Sequence, residues 1–120
     1  MATKNWAITY SRQEAGKGVT AYQWVLVNGD DGLPLEVSSF ADKTVQVKGT
    51  FGSGGTIVIE GSNDAASGAI YATLNDPQGN ALSITAAKIE TILENPRILR
   101  PRVTAGDGDT SLTITVLVRK

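Results

Sequence analysis

The sequence contains no cysteine and no histidine, and these absences exclude several classes of chemistry. The chain forms no disulfides, and it lacks the thiolate and imidazole ligands that zinc and related transition metals prefer. It also lacks the side chain that most often acts as a general base near neutral pH. We therefore expect no catalytic residues, no metal site and no cofactor.

A basic excess and a long apolar run are also missing. Eleven Lys and Arg residues nearly balance twelve Asp and Glu residues, whereas proteins that bind nucleic acid generally carry a clear positive charge. No apolar run approaches the roughly 18 residues of a membrane-spanning helix, and the first six residues contain no apolar signal segment. We expect neither nucleic acid nor a membrane as partner, and synthesis in the cytoplasm.

Positive charge is concentrated near the C-terminus. Residues 1–94 hold six basic and ten acidic residues, whereas residues 95–120 hold five basic and two acidic ones. The five basic residues are either solvated strand positions or an edge that docks on an acidic protein surface, because complementary charge guides association. They are Arg97, Arg100, Arg102, Arg119 and Lys120.

Short β-favouring runs separated by glycine-rich and aspartate-rich turns predict an all-β fold. We interpret residues 1–120 as a single jelly-roll-like antiparallel β-sandwich of about eight strands, with at most one short helix. The clearest strand alternates apolar and polar residues over positions 112–118. Residues 83–93 fit the helix period and the strand period equally poorly, so both remain open.

Two aromatic residues, Trp24 and Tyr71, are predicted to lie in the core. The apolar run from Tyr22 to Val27 predicts a central strand with both faces mostly covered. Aromatic side chains exposed in a row would instead stack on sugars or anchor a protein interface.

Three motifs that bind ligands in other proteins are incomplete here. The glycine-rich loop 49–56 has no lysine and runs into a β-branched strand, so it predicts a hairpin connection rather than a phosphate-binding loop. Asp107 and Asp109 resemble the start of a calcium loop but lack its further oxygen ligands, which indicates a polar turn. Glu90 and Glu94 would face each other only on a helix, and we interpret them as surface charges.

Three stretches are distinctive when taken together: VQVKGTFGSGGTIVIEGSND at 45–64, LNDPQGNAL at 74–82 and ILENPRILRPRVTAGDGDT at 92–110. With them the chain, over roughly residues 40–120, resembles small virion proteins of tailed bacteriophages, including the cement or decoration proteins on the outside of HK97-like heads. The resemblance implies a jelly roll or related sandwich without enzymatic activity or cofactor. It also implies a place on the capsid exterior of a virion assembled in the bacterial host cytoplasm.

The resemblance implies two partners. One is the major capsid protein, whose neighbouring subunits the chain would bridge to stabilise the head, and the other is a further copy of the chain, with a dimer favoured over a trimer. Arginine suits such contacts because its planar guanidinium makes paired bonds to carboxylates. We predict contacts through an N-terminal arm, residues 1–6, and through the basic stretch. The residues concerned are Lys4, Trp6, Arg97, Arg100 and Arg102.

Two other functions stay open. The run from Glu60 to Asp64 before an aromatic strand also resembles discoidin-like jelly rolls, which bind sugars through loop residues, so a carbohydrate-binding module is one alternative. A structural component of a phage tail or baseplate, with the same fold in another part of the virion, is the other.

Overall fold

The computed structural model describes residues 2–12 and 18–120. These residues form twelve β-strands in two sheets and no helix, which confirms the predicted all-β sandwich. Six strands have six or more residues, and shorter strands raise the number above the expected eight. Within the described ranges, no helix has the length and apolar character needed to cross a membrane.

The first sheet contains seven strands and the second contains five. The first has the order β1 (Thr3–Lys4), β4 (Asp31–Gly32), β11 (Ile98–Ala105), β7 (Thr56–Ser62) and β8 (Ala72–Thr73), with β5 (Leu35–Glu36) also paired with β11 and β9 (Ser83–Ile84) with β7. The second has the order β10 (Lys88–Thr91), β6 (Asp42–Thr50), β12 (Ser111–Arg119), β3 (Val19–Val27) and β2 (Ala7–Arg12). β1 and β4 are parallel, and the other strand pairs of the described residues are antiparallel.

The core lies between the sheets, and β12 is central to it. Alternation along a strand directs successive side chains to opposite faces, so the pattern predicted at 112–118 gives β12 one apolar face. Its pairing with β3 and with β6 runs along the whole strand without a register shift. The fully buried residues of β12 are Leu112, Ile114, Val116 and Val118, and those of the core on β7 and β11 are Ile57, Ile59, Leu99 and Val103.

From Trp24 to Val27, the strand β3 is covered on one face only. Trp24 is buried in the core, as predicted, and its Nε1 donates a hydrogen bond to the Leu33 carbonyl at 3.1 Å. Val25 and Val27, however, are 52% and 43% exposed. The prediction that both faces of this apolar run are mostly covered is therefore wrong, and its outer half contacts solvent.

The glycine-rich loop connects the two sheets instead of forming the predicted hairpin, because β6 and β7 belong to different sheets. The loop docks on the turn between β11 and β12. The Thr110 hydroxyl donates to the Phe51 carbonyl at 2.8 Å, and the Ser53 N–H donates to Asp107 at 2.8 Å. Gly52 has a φ of 72°, and a Cβ there would collide with the Asp107 carboxylate, so this position requires glycine.

The ambiguous segment 83–93 contains two short strands joined by a bend, and no helix. It contributes β9 to the first sheet and β10 to the second, and Ile92 is buried between the sheets. The two short strands of this segment belong to different sheets and bury different faces. For this reason neither the helix period nor the strand period fits the apolar residues of the whole segment.

Candidate protein-binding surfaces

Two of the predicted contact residues, Arg100 and Arg102, bind a buried carboxylate of the same chain. Both lie on β11, and β7 places Glu60 directly opposite Arg100. Arg100 donates from Nε to Glu60 Oε1 at 2.8 Å, and Arg102 donates to the two carboxylate oxygens from Nε at 3.1 Å and Nη2 at 3.3 Å. Glu60 therefore holds both guanidinium groups on the outer face of the first sheet.

The charged network continues to Asp31 and Tyr71. Arg100 Nη1 donates to Asp31 Oδ2 at 3.2 Å, and the guanidinium carbon lies 4.0 Å from the centre of the Tyr71 ring, a cation–π contact. Burial raises the pKa of the Tyr71 hydroxyl above its usual 10.0. Tyr71 is half-buried beside the network and lies outside the core between the sheets, so its predicted core position is wrong.

An open cleft of about 590 Å³ lies beside this network. Its charged side chains already neutralise and bind one another, and a ligand would have to replace those bonds. We interpret the cleft as a consequence of the ion pairs rather than as a ligand site. Its polar lining residues are Asp31, Glu60, Tyr71, Arg100, Arg102 and Thr104.

The first part of the predicted N-terminal arm is the edge strand β1. The Asp31 N–H donates to the Ala2 carbonyl at 3.0 Å, and Lys4 Nζ lies 2.9 Å from Asp30 Oδ2. Burial opposes ionisation of Asp30, but bonds from the Val27 N–H and Lys4 outweigh it and lower the pKa of this carboxyl. Asp30 and Asp31 are neighbours in sequence. Lys4, which pairs with Asp30, therefore lies next to the network of the two arginines, which includes Asp31.

Trp6 and Arg97 lie apart from that network. The Trp6 ring meets the Tyr22 ring edge to face, with 5.0 Å between centroids and planes 85° apart, where the chain passes from β1 to β2. Arg97 is exposed before β11, with its Nε 3.8 Å from a carboxylate oxygen of Glu36, which is also exposed. Of the three predicted arginines, Arg97 alone shows no bond to a buried carboxylate within the described ranges.

The outer face of the second sheet is a surface that sequence reasoning missed. Alternation along its strands directs uncharged side chains outward across the middle of the sheet. Charges lie toward its ends, where Arg119 faces Asp42 at 3.6 Å on one side and Lys48 lies on the other. The uncharged residues across the middle of β3, β6 and β12 are Gln23, Val25, Val27, Thr44, Gln46, Thr113, Thr115 and Leu117, and Ile89 of β10 lies opposite Gln46. The feature of the sequence that indicates this surface is the apolar run of β3, because it contains more apolar residues than one buried face of a strand can hold.

The described residues between the sheets form an apolar core around Trp24. Residues 2–12 and 18–120 include no group of three or more acidic side chains placed to hold a metal ion.

The two acidic motifs serve the chain itself. Asp107 accepts hydrogen bonds from the N–H groups of Ser53 and Asp109, which lower the pKa of its carboxyl and make this segment a bonded turn. Glu94 accepts bonds from the backbone and the side-chain amide of Asn75, both at 2.7 Å. Burial opposes ionisation of Glu94, but these bonds outweigh it and lower its pKa. Its role is thus structural and does not involve Glu90.

Lys43 is a buried basic residue that no pattern in the sequence singles out. Its Nζ donates to the Phe40 carbonyl at 3.1 Å and to Asn95 Oδ1 at 2.7 Å, and burial lowers its pKa. These bonds tie β6 to the segment that leads into β11 and give the lysine a structural role.

No protein-family model and no curated protein matches this sequence. Among solved structures, the SPBc2 prophage-derived protein YomS matches with a TM-score of 0.67 and 12% identity, over 87% of this chain and 95% of YomS. A cupin domain from Bordetella pertussis matches with a TM-score of 0.52 and 12% identity, over 99% of this chain and 95% of that domain. A Klebsiella pneumoniae protein with a double-stranded β-helix domain matches with a TM-score of 0.54 and 11% identity, over 98% and 72%. These matches show a shared jelly-roll-like fold.

Proposed function

We propose that the chain is a structural protein of a phage particle and that it binds another protein through the outer face of its second sheet. The observation that carries the proposal is the composition of this face: uncharged across its middle, with Val25 and Val27 each about half exposed. Protein interfaces have cores depleted in charged residues, and an exposed apolar patch with a polar rim is typical of a contact surface.

Two further observations support the phage context. The sequence resembles small virion proteins, and its fold matches that of a prophage-derived protein over most of both chains. The interior is an apolar core around Trp24, which also favours a function performed by the protein surface, such as binding another protein. We therefore propose a cement function, in which the chain binds the outside of the head and bridges neighbouring subunits of the major capsid protein.

The geometry suits such a bridge. The pairing of β12 with β3 and β6 has no register shift, so these three strands present a rigid face and binding fixes few additional side chains. Threonine and glutamine side chains supply hydrogen bonds, while the valines supply apolar area. Each copy would contribute one modest interface, and many copies on one head would raise the overall strength of attachment.

The predicted basic contacts have a secondary role in this proposal. Arg100 is occupied by Glu60 and Asp31, whereas Arg97 is exposed and Arg102 is partly so. Arg97 can therefore add a charged contact to an acidic partner, whereas a contact through Lys4 or Arg102 would compete with their bonds to Asp30 and Glu60. Exposed charges of this kind change association rates more than affinity. Trp6 contributes by fixing the chain at the edge of both sheets.

The test uses heads that lack the chain and purified variants added back to them. Val25→Glu and Gln46→Glu place charges on the outer face of the second sheet at exposed positions. Because an uncompensated charge in an interface costs more than the ~1.4 kcal/mol of a tenfold change, each should weaken binding about tenfold or more. Ile70→Glu, at an exposed position outside that sheet, is the matched control and should bind normally.

Occupancy is measured by sedimenting the heads and quantifying the bound chain. Normal binding by both face variants, or equal loss in the Ile70→Glu control, would contradict the proposal. Binding of the wild-type chain to purified tails but not to heads would indicate the tail or baseplate role. Specific binding on a glycan array would indicate the carbohydrate-binding role.

A further inference from the structure

The strand β10 is an open edge of the second sheet. It pairs with β6 along one side, and within residues 2–12 and 18–120 no strand lies along its other side. The structure describes the whole chain around it, from β9 to β11. Three of its four residues, Lys88, Ile89 and Thr91, are exposed. An edge strand presents unpaired backbone N–H and C=O groups to which another strand can bond.

The hydrogen bonds that follow β10 show which backbone groups point to its open side. Ile92 donates its N–H to the Lys43 carbonyl of β6 at 3.0 Å, whereas Leu93 donates on the other side, to the Asn75 carbonyl at 2.9 Å. Successive residues of a strand direct their backbone groups to opposite sides, so Ile89, four residues before Leu93, also points away from β6. Among the described residues, the N–H and C=O groups of Ile89 meet no backbone partner.

The charged side chains of β10 are complementary to a second copy of the same strand. Lys88 and Glu90 flank Ile89 and form an ion pair at 3.3 Å within the chain. Charged residues on an edge usually oppose pairing with other strands. Two antiparallel copies centred on Ile89, however, place Lys88 of each copy opposite Glu90 of the other, and opposite charges at facing positions stabilise a strand pair.

A shift of the register would remove this match. Two copies centred on Glu90 would bring the two Glu90 carboxylates together, and two copies centred on Lys88 would bring the two ammonium groups together. Like charges directly opposite each other are destabilising. The pairing centred on Ile89 also directs the open backbone groups of the two Ile89 residues at each other, as a hydrogen-bonded pair requires. Charge and backbone hydrogen bonding therefore select the same register.

We infer that two copies of the chain pair through β10 in antiparallel orientation, with the twofold axis at Ile89. Ile89 is 63% exposed in the single chain, and in the pair its side chain packs against Ile89 of the second copy. A partner strand must carry a basic and an acidic residue at the same spacing in reverse order, and a second copy meets this condition. Pairing about a twofold axis uses the same edge of each copy and closes at a dimer.

Pairing would join the two second sheets into one continuous sheet and place their outer faces side by side. Ile89 lies opposite Gln46 of β6, so the uncharged residues of each copy would continue across the joint. The pairing does not rest on the proposed function, since it concerns the isolated chain. It can hold if head binding fails, and head binding can hold if the pairing fails.

The first experiment measures the mass of the purified chain as a function of concentration, by light scattering and sedimentation equilibrium. A four-residue edge forms a small interface, so we expect a dissociation constant between about 10 μM and 1 mM. Lys88→Glu and Glu90→Lys each place like charges opposite each other at two positions of the dimer. Each should weaken self-association about tenfold or more. The double exchange, Lys88→Glu with Glu90→Lys, restores opposite charges and should restore dimerisation.

Arg97→Glu is the control for the change of net charge, since Arg97 is exposed and precedes β11 of the other sheet. It should dimerise like the wild type, and circular dichroism verifies the fold of every variant. A wild-type chain that stays monomeric up to about 1 mM overturns the inference. So does a dimer that both single exchanges leave intact, one that the double exchange does not restore, or one that Arg97→Glu weakens equally.

The second experiment uses the absence of native cysteine. Ile89→Cys introduces a single thiol at the centre of the pair, where facing Cα atoms lie about 5.5 Å apart, within the reach of a disulfide. Oxidation should therefore cross-link this variant into a dimer. Ile70→Cys is the control, because Ile70 is more exposed, at 82%, but lies outside β10. Failure of Ile89→Cys to cross-link, or equal cross-linking of Ile70→Cys, overturns the inference.

Discussion

Glu60 is the residue on which the surface arginines of the first sheet depend. Its carboxylate is buried and is bound by two guanidinium groups, one of which also binds Asp31. Removal of one partner from a buried ion pair leaves a poorly compensated charge, which costs far more than the loss of an exposed pair. Loss of the Arg100 side chain is therefore expected to lower the free energy of unfolding much more than loss of the Arg97 side chain, although both residues belong to the same basic stretch.

We predict that Arg100→Ala lowers the free energy of unfolding by about 3 kcal/mol. Arg97→Ala should lower it by less than about 0.5 kcal/mol, because Arg97 and Glu36 are exposed. Urea unfolding followed by tryptophan fluorescence measures both values. Equal losses in the two variants would show that the Glu60 network does not support the fold. Tests of attachment to heads should therefore use Arg97→Ala, because Arg100→Ala would lower stability as well as any binding.

The pH dependence of stability reports on Asp30, whose pKa is lowered from 3.8 in the folded chain. A carboxyl with a lowered pKa stabilises the fold at pH values above 3.8, and this contribution disappears as the pH falls through the folded pKa. We predict that Asp30→Asn is less stable than the wild type near pH 7 but loses less stability between about pH 5 and pH 2. Urea unfolding across that range measures the difference. Parallel pH profiles for the two proteins would contradict the assignment.

At the scale of elements, β1 shows how the N-terminal segment contributes to the sheet. Backbone bonds join Ala2 and Lys4 to β4 and the residue after it, and the Thr3 hydroxyl donates to Asp31 at 2.7 Å. These bonds, together with the ion pair between Lys4 and Asp30, give the segment a structural role beside any role in contacts.

We predict that removal of residues 1–4 lowers the free energy of unfolding by about 2 kcal/mol, since each hydrogen bond contributes roughly 1 kcal/mol. Lys4→Ala should cost less than about 1 kcal/mol, because the Lys4 side chain is partly exposed. Thermal and urea unfolding of both variants check the values. A truncated chain as stable as the wild type would mean that these residues serve contacts alone.

Local sequence patterns were sufficient to predict the long strands but not their partners. The alternation at 112–118 identified β12, because burial of one face is a local property of a strand. β1 could not be found in this way, since a two-residue strand has no period and its pairing with β4 joins residues far apart in sequence. The same limit applies to residues 83–93, which divide between two sheets.

The candidate protein-binding surfaces were predictable only in part, because local sequence patterns do not show which strands pair. The basic stretch was visible in the sequence, but Glu60 lies 40 positions before Arg100 and meets it only through the pairing of β7 with β11. The outer face of the second sheet was within reach of sequence reasoning. In a two-sheet sandwich each strand buries one face, so an apolar run such as that of β3 leaves apolar side chains on the other.

For the whole molecule, the two outer faces differ in kind. The first sheet carries charged groups that are bonded to one another, whereas the second sheet carries uncharged side chains that are half exposed. Partner binding through the first face would disrupt existing bonds, while binding through the second would bury valines now in contact with water.

Cryo-electron microscopy of the phage particle would locate the chain and show which of its faces meets a partner. We predict density for the chain on the exterior of the head, with the outer face of the second sheet, including Val25 and Gln46, against the major capsid protein. Density in which this face points to solvent while the Glu60 face contacts the capsid, or density confined to the tail, would contradict it.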